Sequence, residues 1–376
     1  MNNQLYLLQI HLPFQDYKFP LLSFVTAFIV TLLCIPALIT LINRYKLYDI
    51  PNARKLHKSP VPTMGGIAIV AGLAVSLLLW MPWHAETAQI VFFFSVLALM
   101  LIGVMDDLKD LSAKYKFAVQ LSIALLIALS GIRITSFNGL FGIGTLPLFS
   151  QYFFTILAIA GITNAFNLVD GIDGLAGGLA FMSLITLGLF LTLSGDLTTA
   201  LIAFALAGGV LAFLYFNFNP ARIFMGDTGS LVLGFIISVL CVRLLQVNTF
   251  ANNPVLPNAP VFVLGIVMVP VFDTLRVFAM RTWRGSSPFQ ADRTHIHHLL
   301  TNNGFSHVFT VRVICFIHAL VLIEVFLLRN MKQEFALLLL TVLMVLASLI
   351  LKKSDVFLRG ISKSRVYQPE TDIDNG

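Results

Sequence analysis

The chain has 376 residues, of which 58% are hydrophobic and only 11% are charged, and its mean hydropathy is +0.89. Soluble domains carry about 25% charged residues, so this composition excludes a soluble globular protein. The long, continuous apolar runs indicate membrane-spanning helices rather than a β-barrel. The net charge of +6 is assigned to basic loops on the cytoplasmic side that contact anionic lipid, and we expect no nucleic-acid partner.

The apolar runs predict an all-α integral membrane protein, a polytopic bundle of about eleven transmembrane helices. Short polar breaks indicate one membrane domain over residues 1–351, followed by a polar, partly disordered cytoplasmic tail at 352–376. The predicted spans lie at about residues 20–43, 64–82, 89–105, 115–130, 151–169, 177–194, 197–216, 229–246, 260–279, 307–328 and 335–351.

Lysine and arginine set the predicted orientation, because cytoplasmic loops carry an excess of them. With the N-terminus outside and the C-terminus in the cytoplasm, the inner segments hold 17 of these residues and the outer segments hold 4. The same orientation places nearly all of the unusual aspartates, asparagines and histidines at the cytoplasmic face. We therefore expect the functional site there. The outer segment 131–150, with glycines among alternating apolar residues, predicts a short hairpin.

The first polar motif closes the third span. Asp106, Asp107 and Asp110 follow an apolar run directly, and adjacent carboxylates at a membrane boundary can bind Mg²⁺ or share a proton. A solvated polar loop is the alternative interpretation. Lys116 opens the fourth span and is close enough in sequence to return to the same pocket and hold a phosphate. A lysine in that position can also extend to the membrane interface.

The second motif ends the fifth span with two amides and two carboxylates. Asn164, Asn167, Asp170 and Asp173 are spaced three apart, so they lie roughly on one face if the helix continues. Ionisable residues at membrane depth indicate a function, and the neighbouring glycines let a ligand approach the backbone. Asparagines that join helices by hydrogen bonds are the alternative, which does not explain the aspartates.

The third motif is the sequence Gly226-Asp-Thr-Gly-Ser, just before the eighth span. Asp227 is a candidate Mg²⁺ ligand, and the small residues beside it allow a phosphate to approach. A helix-capping aspartate between turn glycines is the alternative interpretation.

The fourth motif contains Arg293, His295, His297 and His298. Histidines three residues apart could suggest zinc, but no cysteine is near and a fourth ligand is lacking. We prefer a pyrophosphate or nucleotide contact, because arginine matches phosphate geometry and histidine supplies pH-dependent hydrogen bonds.

Four motifs of this chain resemble those of the polyprenyl-phosphate N-acetylhexosamine-1-phosphate transferases, and the resemblance covers about residues 20–350. In chain order they are Asp-Asp-x-x-Asp, Asn-x-x-Asn-x-x-Asp-Gly-x-Asp-Gly-Leu, Gly-Asp-x-Gly-Ser and His-Ile-His-His. The resemblance is closest to the WecA branch. Ile296 interrupts the histidines and Val169 precedes Asp170, whereas the MraY branch tends to have three consecutive histidines and a threonine. A MurNAc-pentapeptide substrate is therefore disfavoured.

The resemblance implies transfer of N-acetylglucosamine-1-phosphate from UDP-GlcNAc to undecaprenyl phosphate, with release of UMP, at the bacterial inner membrane. This would be the first membrane step of cell-surface polysaccharide synthesis. It also implies Mg²⁺, with Mn²⁺ as a substitute, held by Asn167 and Asp227. The implied catalytic residues are Asp106, Asp107, Lys116 and Asp170, and those implied to contact substrate are Asp110, Asn164, Asp173, Arg293, His295, His297 and His298.

Two alternatives stay open. Another UDP-N-acetylhexosamine, or UDP-MurNAc-pentapeptide, could be the donor. An ion-coupled secondary transporter would also use intramembrane aspartates and asparagines. Transporters place such residues near the bilayer midplane and often contain repeats, whereas this sequence gathers them at one face and shows no repeat. A homodimer is compatible with the sequence.

Overall fold

A computed structural model describes residues 14–45, 48–49, 61–83, 86–252, 254–287 and 294–362. Helices dominate these residues, as the composition predicts. Two short strands, β1 (Tyr48–Asp49) and β2 (Val61–Pro62), pair in antiparallel fashion. The helices are α1 (Phe14–Tyr45), α2 (Gly65–Trp80), α3 (Thr87–Lys109), α4 (Ala113–Leu129), α5 (Leu148–Val169), α6 (Leu175–Leu193), α7 (Leu197–Asn217), α8 (Asp227–Phe250), α9 (Ala259–Ile266), α10 (Met268–Trp283), α11 (Ile296–Asn302), α12 (His307–Leu327) and α13 (Gln333–Ser362).

Within the described residues, eight helices are long and apolar enough to cross a membrane: α1, α3, α5 to α8, α12 and α13. The bent pair of α9 and α10 meets the same test, and α2 is apolar but has only 16 residues. The chain is therefore a polytopic helical membrane protein, as predicted. Each of the eleven predicted runs coincides with a helix or with the bent pair, yet the number of crossings stays a prediction. α13 continues to Ser362, past the predicted boundary at 351, and the rest of the predicted tail lies outside the described residues.

The predicted ninth span is broken instead of continuous. α9 ends at Ile266, and α10 begins at Met268 in a direction that differs by 78°. Such a break frees backbone carbonyls that need partners inside a membrane protein. Ser183 of α6 donates a hydrogen bond of 2.8 Å to the carbonyl of Ile266, and the ring of His318 from α12 lies 3.2 Å from the same hydroxyl. After the bend, α10 packs against α5.

α7 and α8 form the buried centre of the bundle, whereas α1, α12 and α13 expose apolar side chains along their outer faces. Glycines let the helices approach closely, which is how membrane helices often pack. A Cβ atom at Gly208 would overlap the backbone of Phe24, and one at Gly234 would lie 2.9 Å from the backbone of Thr163. The first three motifs meet at one end of this bundle, where α3, α4, α5 and α8 come together.

The glycine-rich segment between α4 and α5 forms the predicted hairpin. Ser136 and Thr145 make an isolated antiparallel bridge, and the tip contains a 3-10 turn at Leu140–Gly142. Glu334 at the start of α13 accepts a hydrogen bond from the backbone of Phe141 at this tip. The hairpin therefore joins the connection between α4 and α5 to the start of the last helix.

Candidate active site

Side chains from α3, α4, α5 and α8 form a continuous set of polar contacts at one end of the bundle. The Lys116 ammonium lies 2.9 Å from the carboxylate of Asp106 and 2.7 Å from that of Asp227. On the other side, the Asn167 amide nitrogen donates to Asp227 at 3.1 Å and to the Ser230 hydroxyl at 2.9 Å. The fold thus joins Lys116 to members of three motifs that are far apart in sequence.

Asp107 makes different contacts, although it follows Asp106 directly. Its carboxylate accepts hydrogen bonds from the backbone N–H of Asp227 at 2.8 Å, from that of Thr228 at 3.1 Å, and from the Thr228 hydroxyl. The first N–H groups of a helix have no partner within the helix, and a negative charge beside them is favourable. Asp107 therefore caps α8 and holds Asp227, the first residue of that helix, in place.

Glycines bring the capping groups together. Gly226 has a left-handed φ of 71°, and a Cβ atom there would crowd the Asp107 carboxylate. Gly103 of α3 packs against the backbone of the first turn of α8, and Gly66 of α2 packs against Gly229. Gly226 and Gly229 of the third motif thus serve close packing between protein segments, and the expected approach of a phosphate beside them stays a prediction. The contribution of Gly66 was not predicted.

The second motif ends in a turn instead of a continuous helix. α5 ends at Val169, Asp170 has non-helical backbone angles, and Gly174 has a left-handed φ of 82° before α6 begins. A left-handed position favours glycine, because a side chain is strained there. The expected single helical face for the four polar residues of this motif is therefore wrong beyond Asn167.

Asp170 lies half-buried beside the carboxylate cluster. Burial, and then the negative charges of Asp227, Asp107 and Asp173, raise the pKa of Asp170 to about 8. A carboxyl group near others of like charge keeps its proton, because ionisation would add to the repulsion. This end of the bundle therefore carries more negative charge than Lys116 neutralises, and it would attract a cation.

Asp173 is directed at a different segment. It is 5% exposed, and its carboxylate accepts hydrogen bonds from the Asn219 amide at 3.0 Å and from the Ala221 N–H at 3.3 Å. Asn217, which the sequence did not single out, accepts a hydrogen bond of 2.8 Å from the N–H of Gly174. Both residues join the turn after α5 to the segment before α8. The expected contact of Asp173 with substrate stays a prediction.

Two other residues expected to contact substrate lie outside this set of hydrogen bonds. Asn164 is about one turn before Asn167 on α5, is half-buried, and makes no side-chain hydrogen bond within the described part of the chain. Asp110 caps the C-terminal end of α3 with a left-handed φ of 53°, and its side chain is exposed. Both are near the cluster in sequence but are not held by it.

Asp273 of α10, which was not among the predicted site residues, anchors the histidine motif. Its buried carboxylate lies 2.8 Å from Nδ1 of His295 and accepts a hydrogen bond of 3.1 Å from the N–H of Ile296. Arg276 contacts the same carboxylate at 2.7 Å and donates to the carbonyl of Thr294 at 2.6 Å. One carboxylate therefore holds the start of α11. The sequence feature that could have predicted this role is an aspartate and an arginine three residues apart in an apolar span.

His297 is 2% exposed and lies against the turn that follows α5. A Cβ atom at Gly171 would overlap its Nε2 atom, so the glycine admits the imidazole. Burial, with the neighbouring His298, lowers the pKa of His297 to about 3, and the ring is neutral near pH 7. His297 thus packs the histidine motif onto the second motif. Arg293 lies outside the described residues, so its expected phosphate contact stays a prediction.

The donor set fits Mg²⁺ better than zinc. No group of three or more histidine, cysteine, aspartate or glutamate side chains in the described ranges is arranged to hold a metal ion. Mg²⁺ does not require such a group, because it is usually bound by one or two carboxylates together with waters and substrate phosphates. Asp227 and Asn167 place a carboxylate beside an amide, and the negative charge around Asp170 suits a divalent cation.

Comparison with known proteins shows the family to which the chain belongs. A family model described as "Glycosyl transferase family 4" matches residues 89–245, which contain the first three motifs. A protein of Bacillus subtilis (strain 168), named a probable undecaprenyl-phosphate N-acetylglucosaminyl 1-phosphate transferase, is 33% identical over 335 residues, or 88% of this chain and 92% of its own length.

Two relatives named undecaprenyl-phosphate alpha-N-acetylglucosaminyl 1-phosphate transferase match a shorter region. The protein of Escherichia coli (strain K12) is 32% identical over 266 residues, which are 69% of this chain and 70% of that protein. The protein of Yersinia pestis is 34% identical over 270 residues, which are 69% and 71% of the two chains. With these identities and the four motifs in order, the chain belongs to the polyprenyl-phosphate N-acetylhexosamine-1-phosphate transferases, in their WecA branch.

Proposed function

We propose that the chain transfers N-acetylglucosamine-1-phosphate from UDP-GlcNAc to undecaprenyl phosphate, forming undecaprenyl-diphospho-GlcNAc and UMP. The names of the relatives support this reaction. The observation that carries the proposal is the position of Lys116 between Asp106 and Asp227, with Asn167 beside them, at one end of a bundle of membrane helices. A charged site where apolar helices end suits two phosphorylated substrates, one lipid and one water-soluble.

The reaction is a direct phosphoryl transfer. A lipid phosphate oxygen attacks the β-phosphorus of UDP-GlcNAc, the bond from that phosphorus to the oxygen bridging the two phosphates breaks, and UMP leaves with this oxygen. Such transfers depend mainly on positioning and charge neutralisation. The second pKa of a phosphate monoester is about 6, so the lipid phosphate is already largely ionised at pH 7. No general base is required, and trapping of a phospho-enzyme or glycosyl-enzyme would contradict direct attack.

The contacts suggest how the roles are divided. Lys116 would neutralise phosphate charge, and Asp106 would orient Lys116 through their ion pair of 2.9 Å. The Asp107 carboxylate accepts hydrogen bonds from the first N–H groups of α8. If Asp107 took a proton from the lipid phosphate, it would lose the charge that holds these N–H groups. We therefore assign Asp107 a positioning role, and not the catalytic role that the family resemblance implied.

Asn167 and Asp227 would hold Mg²⁺, which Mn²⁺ could replace. When bound, the ion would neutralise the diphosphate and the departing UMP. Asp227 reaches its place through the Asp107 cap, and the Asn167 amide is aligned by Ser230. The chain thus contributes preorganised oxygen ligands on rigid helix ends.

The proposed topology has eleven spans, with the N-terminus outside and the C-terminus in the cytoplasm. This orientation rests on the excess of lysine and arginine in the proposed inner segments. It puts the site on the cytoplasmic face of the bacterial inner membrane, where a nucleotide sugar and a membrane lipid can meet. A homodimer is compatible with this topology.

A donor panel tests the proposed function. Purified protein is incubated with undecaprenyl phosphate, Mg²⁺ and either UDP-GlcNAc, another UDP-N-acetylhexosamine or UDP-MurNAc-pentapeptide, and UMP is measured. We expect the fastest release with UDP-GlcNAc. Faster release from another donor would change the substrate but keep the reaction class. Absence of UMP from every donor, together with ion-coupled uptake into liposomes, would favour a transporter instead.

A further inference from the structure

Gln120 of α4 is a buried amide whose oxygen has no hydrogen-bond partner among the described residues. It lies about one helical turn after Lys116 and is 4% exposed. Its Oε1 atom is fully buried, and the side chain makes no hydrogen bond to any residue in the described ranges. The other inward-facing residues that follow on α4, Ile123, Ala124 and Ile127, are apolar. Gln120 therefore interrupts an otherwise apolar helix face.

An amide in this position needs a hydrogen-bonding partner. The interior of a membrane bundle holds little water, and a polar group buried there without a partner is destabilising. A residue that served packing alone would be better as leucine or methionine, which fill similar volume without a polar group. The open hydrogen-bonding capacity of Gln120 therefore points to an occupant that the protein itself does not supply.

The neighbouring helix supplies a second amide at the same level. α4 and α5 pack against each other in antiparallel directions, because Lys116 near the start of one and Asn167 near the end of the other both contact Asp227. Gln120 is four residues after Lys116, and Asn164 is three residues before Asn167, so each lies about 4.5–6 Å further from the charged end. Asn164 also lacks a side-chain hydrogen bond to the described residues.

We propose that Gln120, with Asn164 at the same level on α5, binds the phosphate of the isoprenoid lipid acceptor from the membrane side of the site. The proposal rests on the proposed function. It adds a contact for the acceptor that the four motifs do not contain. Of the two substrates, only the lipid has its chain in the membrane, so only its phosphate approaches the cluster from the level of these amides.

Neutral amides suit this position. An amide N–H can donate to a phosphate oxygen and orient it. A further cation beside Lys116 would instead reduce the negative charge on the phosphate oxygen that attacks. The side-chain amide can rotate by 180°, which exchanges its oxygen and nitrogen. Within the described ranges, no hydrogen bond to the Gln120 oxygen opposes this rotation. Lys116 and the two amides would then contact the lipid phosphate from two levels, with the amides nearer to the isoprenoid chain.

The test compares Gln120→Met, which keeps the length of the side chain and removes the amide, with Ser122→Ala on the exposed face of the same helix. We expect Gln120→Met to raise the KM for undecaprenyl phosphate by about tenfold to a hundredfold, the effect of one hydrogen bond to a charged group. The KM for UDP-GlcNAc should stay unchanged. Undecaprenyl phosphate added alone should raise the Tm of the wild type more than that of Gln120→Met, and Ser122→Ala should match the wild type.

Two results would overturn the proposal. An unchanged KM for the lipid, with an unchanged lipid-induced Tm shift, would mean that Gln120 binds only water. An equal rise in both KM values, with a lower Tm in the absence of lipid, would mean a structural role, since removal of an unpaired buried amide should not destabilise the apo protein. Failure of the proposed function is seen separately, as absence of UMP release by the wild type with every donor.

Discussion

The cap that Asp107 places on α8 leads to a prediction about Asp107→Asn. The substitution keeps the side chain's size but removes its negative charge and turns an NH₂ group toward donors. Asparagine keeps one oxygen that can accept from the helix N–H groups, so the cap is weakened and not lost. Loss of the charge beside the helix dipole costs about 0.3–1 kcal/mol, and an N–H left without a partner costs about 1–3 kcal/mol. We therefore expect destabilisation of about 1–4 kcal/mol from these two contributions.

Activity should fall for the same reason. The first turn of α8 carries Asp227, and displacement of a catalytic group by about 1 Å can lower a rate by about 100-fold. We expect kcat of Asp107→Asn to fall by about that factor. Thr228→Val, which removes only the hydroxyl donor to Asp107, should produce a smaller loss of both stability and rate.

Thermal unfolding in detergent, followed beside UMP release, measures both effects. Asp106→Asn is the matched variant, because Asp106 contacts Lys116 and the N–H of Leu111, whereas the backbone N–H groups of Asp227 and Thr228 donate to Asp107. It should lose activity with a smaller fall in Tm than Asp107→Asn. If Asp107→Asn kept the wild-type Tm but lost activity, the positioning role would be refuted and a direct contact between Asp107 and substrate would be required.

Three further predictions concern other parts of the site. Asp227→Ala should abolish Mg²⁺-dependent UMP release while the Tm shows a folded protein; retained turnover would contradict its assignment as a metal ligand. Asp273→Asn should loosen the start of α11 by weakening its contact with His295, and so raise the KM for UDP-GlcNAc more than it lowers kcat; unchanged kinetic constants would exclude a positioning role. Asp170 has a raised pKa, of about 8, so the folded protein retains a proton that the unfolded chain releases near pH 4. The proton on Asp170 therefore stabilises the folded wild type fully below about pH 4, and this stabilisation is lost as the pH rises to about 8. In EDTA, the Tm advantage of Asp170→Asn over the wild type should therefore grow between pH 5 and pH 8; a constant difference would show that Asp170 is not protonated as described.

Much of the architecture could be predicted from local sequence. Apolar runs are long because a helix must cross the hydrocarbon layer, so the helices appeared at the expected places. The hairpin between α4 and α5 followed from its glycines and alternating apolar residues. The polar motifs were visible because carboxylates and amides are rare in such surroundings. Lys116, Asn167 and Asp227 were expected to share a pocket, and the fold brings them into contact.

Other features depend on contacts between distant segments. Asp106 and Asp107 are adjacent in sequence, so neither hydropathy nor spacing distinguishes the partner of Lys116 from the cap of α8. The end of α5 at Val169 turns Asp173 toward the segment before α8, although the spacing of three suggested a shared face. Asp273 lies in an apolar span and becomes important only because α10, after the break that follows α9, meets the histidine motif.

The sequence by itself determined the class of protein, the approximate helices and the residue types of the site, because hydrophobic length and polar exceptions are local properties. Only the tertiary structure decided which polar groups meet. The close approach of α3 and α2 to α8, through Gly103, Gly66 and Gly229, makes Asp107 a cap. Helix packing also leaves the Gln120 oxygen, one turn after Lys116, without a partner in the described part of the chain. These outcomes follow from the relative positions of whole helices, which no single segment encodes.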